Sequence, residues 1–201
     1  RNLLLGSCQS DSGFADRILV MKSGITVEKG TVAEIFNNLQ HEYNGNLLKC
    51  RIAIKPKQQI DSVEIYQTKK SPVLTINNLT VEYPVERNFW GKVKSVKKAV
   101  DDLTFSVFEH EILGIVGESG SGKSVSMSAV MGLIKDENAE ITGEVFFNGE
   151  DLLKKSDEEL RAIRGKDIAM VFQDPMTALT PVYTIGWHIR EQLQLHSTIS
   201  D

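Results

Sequence analysis

The sequence predicts an α/β fold, and three observations carry that expectation. First, the apolar run Glu111-Ile112-Leu113-Gly114-Ile115-Val116 leads into a glycine-rich turn, Gly117-Glu118-Ser119-Gly120-Ser121-Gly122-Lys123-Ser124, and then into a helical pattern from Val125 to Ile134. Second, apolar and polar residues alternate at Val73–Ile76, Leu79–Tyr83 and Leu103–Phe108, as they do in half-buried strands. Third, Asn148-Gly149 closes a strand at Glu144–Phe147 with a strong hairpin-turn signal.

The glycine-rich turn fits G-x-x-x-x-G-K-[ST], and its strand-before, helix-after setting gives the pattern a physical meaning. Glycines let the backbone bend so that successive N–H groups point inward at a phosphate. The following helix adds its unpaired N–H groups and the positive end of its dipole. Lys123 is expected to reach the terminal phosphates, and the Ser124 hydroxyl to ligate Mg²⁺. The expected nucleotide contacts are therefore Gly117, Glu118, Ser119, Gly120, Ser121, Gly122, Lys123, Ser124 and Val125.

Composition sets the outer bounds. The chain has 201 residues, with 41% hydrophobic and 25% charged, as in a soluble globular protein. A net charge of -4 gives no reason to expect a nucleic-acid partner. No apolar run approaches the roughly 18 residues needed to cross a bilayer. Arg1–Leu5 is too short for a signal peptide. Cys8 and Cys50 lie far apart without ligand-like spacing, so reduced thiols in a cytosolic protein are the simple expectation.

In chain order, residues 1–14 resist placement: Leu3-Leu4-Leu5 is apolar, but Gly6–Gly13 is small, polar and turn-like. Arg17–Met21 and Ile25–Glu28 read as a hairpin around Lys22-Ser23-Gly24. Thr31, with Glu34 three residues on, is a capping box for a short helix through Phe36. A second helical piece is expected over His41–Cys50, and residues 55–72 look like a polar, proline-punctuated connector. Arg87–Lys98 is basic around Phe89-Trp90. Such a run can bind RNA or lipid headgroups, but in an acidic chain a solvated hairpin face is favoured. Ser156-Asp157-Glu158-Glu159 opens a helix that Gly165 stops. Asp167–Phe172 reads as a strand delivering Gln173-Asp174-Pro175 at its carboxyl end, where open α/β sheets bind ligands. Ile185–Leu195 begins an amphipathic helix.

Residues 73–201 resemble the amino-terminal half of an ATP-binding-cassette (ABC) nucleotide-binding domain. The resemblance rests on Tyr83, the 117–124 loop, Gly143–Gly149 and Val171-Phe172-Gln173-Asp174-Pro175, in that order and separation. It implies an incomplete P-loop NTPase of ABC type, an ATP-binding core with an antiparallel β subdomain. By that resemblance Tyr83 looks like the aromatic that stacks on adenine, and Gln173 like the Q-loop glutamine, a Mg²⁺ ligand beside the attacking water. Residues 173–186 look like those of the dipeptide, oligopeptide and nickel importers, with Thr180 where asparagine is common.

Residues 15–50 resemble the far end of the same kind of domain, through Ala15–Met21, Gly24, Glu28, Gly30 and Tyr43. Gly6-Ser7-Cys8 stands where the switch histidine is expected. The implied organisation is a carboxyl-terminal remnant of one cassette (1–54), a linker (55–72) and the head of a second (73–201). The implied protein is an importer's ATPase subunit, using ATP and Mg²⁺, at the cytoplasmic face of the membrane. Its implied partners are a second cassette, permease subunits contacted near the Q-loop and, indirectly, an extracytoplasmic solute-binding protein. The signature segment, the Walker B aspartate and the catalytic glutamate fall outside the matched half. Weak ATP binding without turnover and open sheet edges are therefore expected of this segment. The alternative is a non-transport P-loop or regulatory module without turnover.

Overall fold

A computed structural model describes residues 2–6, 15–37, 71–87, 93–134, 138–172 and 180–196. The chain divides into two units, Arg1–Leu153 and Lys154–Asp201. The first unit holds two four-stranded sheets.

Strand β1 is Asn2–Gly6, β2 Arg17–Lys22 and β3 Ile25–Thr31. They join β6, Ile112–Gly117, in a sheet ordered β1-β6-β2-β3. β6 runs parallel to β1 on one side, with Leu3 opposite Leu113, and parallel to β2 on the other, with Leu19 opposite Ile115. Leu113, Gly114 and Ile115 are buried in β6, and Ile18 to Met21 in β2. Near-continuous apolar runs of this kind suit parallel strands covered on both faces. Open edges were expected beside the phosphate-loop strand. Instead, β6 has a neighbour on each side, and both come from the amino-terminal 22 residues. The triplet Leu3-Leu4-Leu5, unplaced by its sequence, lies within β1.

Helix α1, Val32–Asn37, follows β3 directly. Its capping box forms as expected: the Thr31 N–H donates to Glu34 Oε2 at 2.7 Å, and the Glu34 N–H to Thr31 Oγ1 at 3.2 Å. Ile18, Val20 and Ile35 make a small core, with Ala15, Val32 and Val116 packed against it. The helical piece expected over 41–50 and most of the expected connector lie outside the described residues.

The second sheet, ordered β5-β4-β7-β8, is antiparallel. It comprises β4 (Leu74–Arg87), β5 (Val93–Val107), β7 (Glu140–Phe147) and β8 (Glu150–Asp151). Two expected strands, 73–76 and 79–83, are one strand with a bulge between Ile76 and Leu79. Asn78 takes φ 50° there and Asp102 φ 55° on the partner strand. The side chains tie the defect together: Asn78 Nδ2 donates to Asp102 Oδ1 at 2.5 Å, and the Asp102 N–H to Thr80 Oγ1 at 3.1 Å. The extra residue restores phase, so Ile76, Leu79 and Val81 are all buried. Asn148 and Gly149 take φ 50° and 86°, the two positive values a tight hairpin turn needs. On the basic stretch, Lys97 and Lys98 are exposed, and Lys98 Nζ pairs with Asp101 at 2.8 Å and Glu82 at 3.6 Å. Residues 88–92, including Phe89 and Trp90, lie outside the described residues.

Helix α2, Lys123–Val130, packs against β4, β5 and β6 through a buried face of Ser126, Met127, Ala129 and Val130. It ends four residues short of the expected Ile134, in a turn where Gly132 takes φ 61°.

In the second unit, α3 (Asp157–Ile163) starts on the expected capping box. The Glu159 N–H donates to Ser156 Oγ at 3.3 Å and the Ser156 N–H to Glu159 Oε2 at 2.8 Å. Gly165 follows at φ 82°. The strand expected over 167–172 does not form. Only an isolated bridge between Arg164 and Ile168 is present, and Val171 is 91% exposed. A strand needs a ladder partner for its backbone groups, and within the second unit the described residues include no strand. Helix α4, Ile185–His196, is begun by Thr184, whose Oγ1 accepts from the Trp187 N–H at 3.2 Å.

Candidate nucleotide-binding site

The site is the turn between β6 and α2. Gly120 takes φ 79° and Gly122 φ 102°. At Gly122 space as well as conformation demands glycine, because a Cβ would lie 2.6 Å from the Ala99 carbonyl oxygen. The Ser121 N–H donates to the Glu118 carbonyl at 3.1 Å and closes the turn. Ser126 anchors the helix end of the loop: its N–H and its hydroxyl both donate to the Gly122 carbonyl, at 2.8 and 2.9 Å.

The loop curls around Lys123. Its Nζ donates to the carbonyls of Gly117 and Glu118, both at 2.8 Å, and to Ser121 Oγ at 3.1 Å. A cationic head is thus held at the inner side of a ring of main chain. No side chain caps α2, and its first turn carries no acidic residue, so the positive end of the dipole is not neutralised locally. Ser124 is exposed at that end and Val125 half-buried. Glu118, Ser119 and Gly120 form the exposed rim, while Gly117, Ser121 and Gly122 are buried. An exposed rim, a fixed lysine and an uncapped helix end suit a phosphate chain.

Of the other expected residues, Tyr83 is half-buried on β4 opposite Lys97, on a different sheet from the loop. Gln173 lies outside the described residues. Among the described residues no group of three or more His, Cys, Asp or Glu could hold a metal ion.

Sequence reasoning missed the residues that brace the loop from behind. The Gly24 N–H donates to the Ser121 carbonyl at 3.0 Å. Arg17 and Asp16 fasten β2 to the start of β6: Arg17 Nε lies 2.5 Å from Glu111 Oε1, and the Ile112 N–H donates to Asp16 Oδ2 at 2.8 Å. The signal available was the charged pair Asp16-Arg17 ahead of an apolar run, and it does not name a partner.

Residues 100–198 match the ABC transporter family, a span that includes the whole loop, α2 and the hairpin after it. The matched stretch, 99 of the 201 residues, is of the ABC transporter family. A probable peptide ABC transporter ATP-binding protein of Sinorhizobium fredii is 45% identical over 117 residues, which is 58% of this chain and 35% of that protein. The dipeptide transport ATP-binding protein DppD of Escherichia coli is 43% identical over 124 residues, 62% of this chain and 36% of its own. The glutathione import ATP-binding protein GsiA of Escherichia coli is 34% identical over 206 residues, covering 92% of this chain and 32% of that protein. The chain spans about a third of the length of these relatives. The expected α/β, P-loop fold of ABC type agrees with the family match and with one mixed and one antiparallel sheet and their helices.

Proposed function

We propose that this chain is part of the ATP-binding subunit of an ABC importer that moves peptides or a similar solute. The cradle around Lys123 carries the reading, supported by peptide and glutathione import proteins among the relatives. On binding, the ammonium leaves the loop carbonyls for the terminal phosphates, and the loop N–H groups take the bridging oxygens. Ser124 would help to hold Mg²⁺, which would supply charge neutralisation at the transferred phosphoryl group. Tyr83 would stack on the adenine, and Gln173 would be a further Mg²⁺ ligand.

ATP hydrolysis is a property of the full-length protein, to which this segment contributes the phosphate grip. The partners are a second cassette, permease subunits met near residue 173 and, through them, a solute-binding protein. The working location is the cytoplasmic face of the membrane. No described helix is long and apolar enough to cross a membrane. A tandem arrangement, with residues 1–54 as the tail of one cassette and 73–201 as the head of the next, draws support from the GsiA match. A match covering 92% of this chain has to extend ahead of residue 73.

Calorimetric titration of the whole chain with MgATP tests the reading. Saturable binding that Lys123→Ala weakens at least tenfold is expected. Absence of binding, or equal binding by the variant, refutes it.

A further inference from the structure

We infer that Gly24, at the turn of the β2–β3 hairpin, is a positioning residue for the phosphate loop, acting on the direction of the Gly122 N–H. The inference rests on the ATP-binding reading for its functional consequence but not for its geometry.

Three observations converge on this turn. Its N–H donates to the Ser121 carbonyl at 3.0 Å. Its own carbonyl accepts from the Asp101 N–H at 2.9 Å, which ties the turn to β5. Its Cα would lie 3.3 Å from a Cβ placed on Gly122, so the two glycines are packed main chain against main chain. Gly24 takes φ 87°, and a Cβ on it would lie 2.9 Å from the Ala99 carbonyl oxygen. Both conformation and space therefore restrict the position to glycine.

The consequence follows from peptide geometry. The bond between Ser121 and Gly122 is trans, so the Ser121 C=O and the Gly122 N–H point in opposite directions. A donor that holds the carbonyl on the outer side of the loop turns the Gly122 N–H to the inner side. Lys123 Nζ, bonded to the Gly117 carbonyl and Ser121 Oγ, and the uncapped end of α2 mark that inner side. A phosphate oxygen entering there meets an N–H already aimed at it. Without the Gly24 bond the 121–122 peptide is free to rotate, and the loop offers a carbonyl to the anion in some of its states. Such preorganisation is what a nest of backbone N–H groups requires. The same bond explains why β2, and not only the loop sequence, belongs to the site: Met21 sits opposite Gly117 in the parallel ladder and delivers the turn to this place.

The test compares Gly24→Ala with Gly149→Ala in the full chain. Gly149 takes φ 86°, nearly the value at Gly24, and a Cβ there meets nothing within 4 Å. It supplies the same backbone strain away from the loop. Two readouts are taken: affinity for MgADP and MgATP by titration calorimetry, and the amide ¹H–¹⁵N resonance of Gly122 without nucleotide. The expectation is at least a tenfold loss of affinity and a displaced Gly122 resonance in Gly24→Ala, with Gly149→Ala within twofold of wild type and its Gly122 resonance unmoved. Wild-type affinity or an unmoved Gly122 resonance in a folded Gly24→Ala overturns the proposal. If the wild-type chain binds no nucleotide, the ATP reading fails, and the nucleotide-free resonance alone decides the positioning role. If Gly24→Ala does not fold, the wild-type scalar coupling across the hydrogen bond from Gly24 ¹⁵N to Ser121 ¹³C′ decides it: presence supports, absence overturns.

Discussion

Replacing Arg17 by alanine should loosen the sheet on which the phosphate loop stands. Glu111 is 2% exposed, and its Oε1 lies 2.5 Å from Arg17 Nε. The contact is one of charge, because the Nε–H is not aligned as a hydrogen bond. Arg17 Nη2 also donates to the Ser106 carbonyl at 2.6 Å, and the guanidinium lies 5.8 Å from the centre of the Phe108 ring. Removing one partner of a buried ion pair costs about 3–5 kcal/mol. The Arg17 side chain is 29% exposed, which screens the pair and lowers the expectation to about 3 kcal/mol. At roughly 1.4 kcal/mol per tenfold, amides of β2 and β6 should exchange with solvent about a hundredfold faster. Hydrogen exchange of the full chain, read by mass spectrometry, gives the number. Adding Glu111→Gln should then cost little more, because the charge that needed a partner is gone; a coupling of about 2 kcal/mol is expected from the double-mutant cycle. Acceleration below about threefold, or additive effects of the two changes, would refute the claim that this pair fastens β2 to β6.

Three further outcomes are expected. Lys123→Ala should leave the far-ultraviolet circular dichroism unchanged while abolishing measurable competition between ATP and a fluorescent nucleotide; retained competition counts against the cradle. Gly143→Ala should destabilise by about 3 kcal/mol or more in urea melts, because φ is 107° and the new Cβ would lie 2.6 Å from the Asn78 carbonyl oxygen; Gly149→Ala, also at positive φ (86°) but in open space, should cost about 1 kcal/mol. Acid should fray α1 and α3. Hydrogen bonds from the Thr31 backbone and side chain hold the Glu34 carboxyl below its ordinary value, and those from the Ser156 backbone and side chain do the same for Glu159. A depressed folded-state value means the caps contribute fully above the ordinary carboxylate pKa of 4.5 and are lost as pH falls through the lower folded value. Thr31→Ala and Ser156→Ala should flatten that part of a helicity titration; an unchanged titration would disprove the assignment.

Local chemistry was legible where a few neighbouring residues suffice. The capping boxes at Thr31 and Ser156, the Asn148-Gly149 turn and the strand–loop–helix at 112–130 all formed as their sequences imply. What depends on distant partners was not. Leu3-Leu4-Leu5 is an unremarkable triplet until β6 lies beside it. Asn77-Asn78 reads as a gap between two strands, although Asp102 and Thr80 make it a bulge inside one. Asp167–Phe172 has a strand's apolar content, but its own unit has no described strand to serve as a ladder partner, and Val171 and Phe172 stay exposed. The loop itself was readable because glycine spacing is local. Its support from Gly24 was not, because that contact joins residues nearly a hundred apart.

The pairing of β2 with β6 runs against chain order, and its specificity explains how that is possible. Apolar strands alone would tolerate a slip, since Ile18, Leu19, Val20 and Met21 are alike in size and all buried. Polar groups at the entrance remove that freedom. The Asp16 N–H donates to the Ile112 carbonyl and its Oδ2 accepts from the Ile112 N–H, both at 2.8 Å, so a single residue fixes the register. Arg17 meets the buried Glu111 one residue away, and a shift by one position would strand that carboxylate without its cation. At the far end Gly24 reaches Ser121, and only a hairpin of this length, in this register, brings it there. The strand beside the phosphate loop is thus chosen by matched groups at both of its ends. Any segment with an Asp-Arg entrance, an apolar tetrad and a glycine turn at that distance would satisfy β6 equally well, whether it came before the loop, after it, or from another chain.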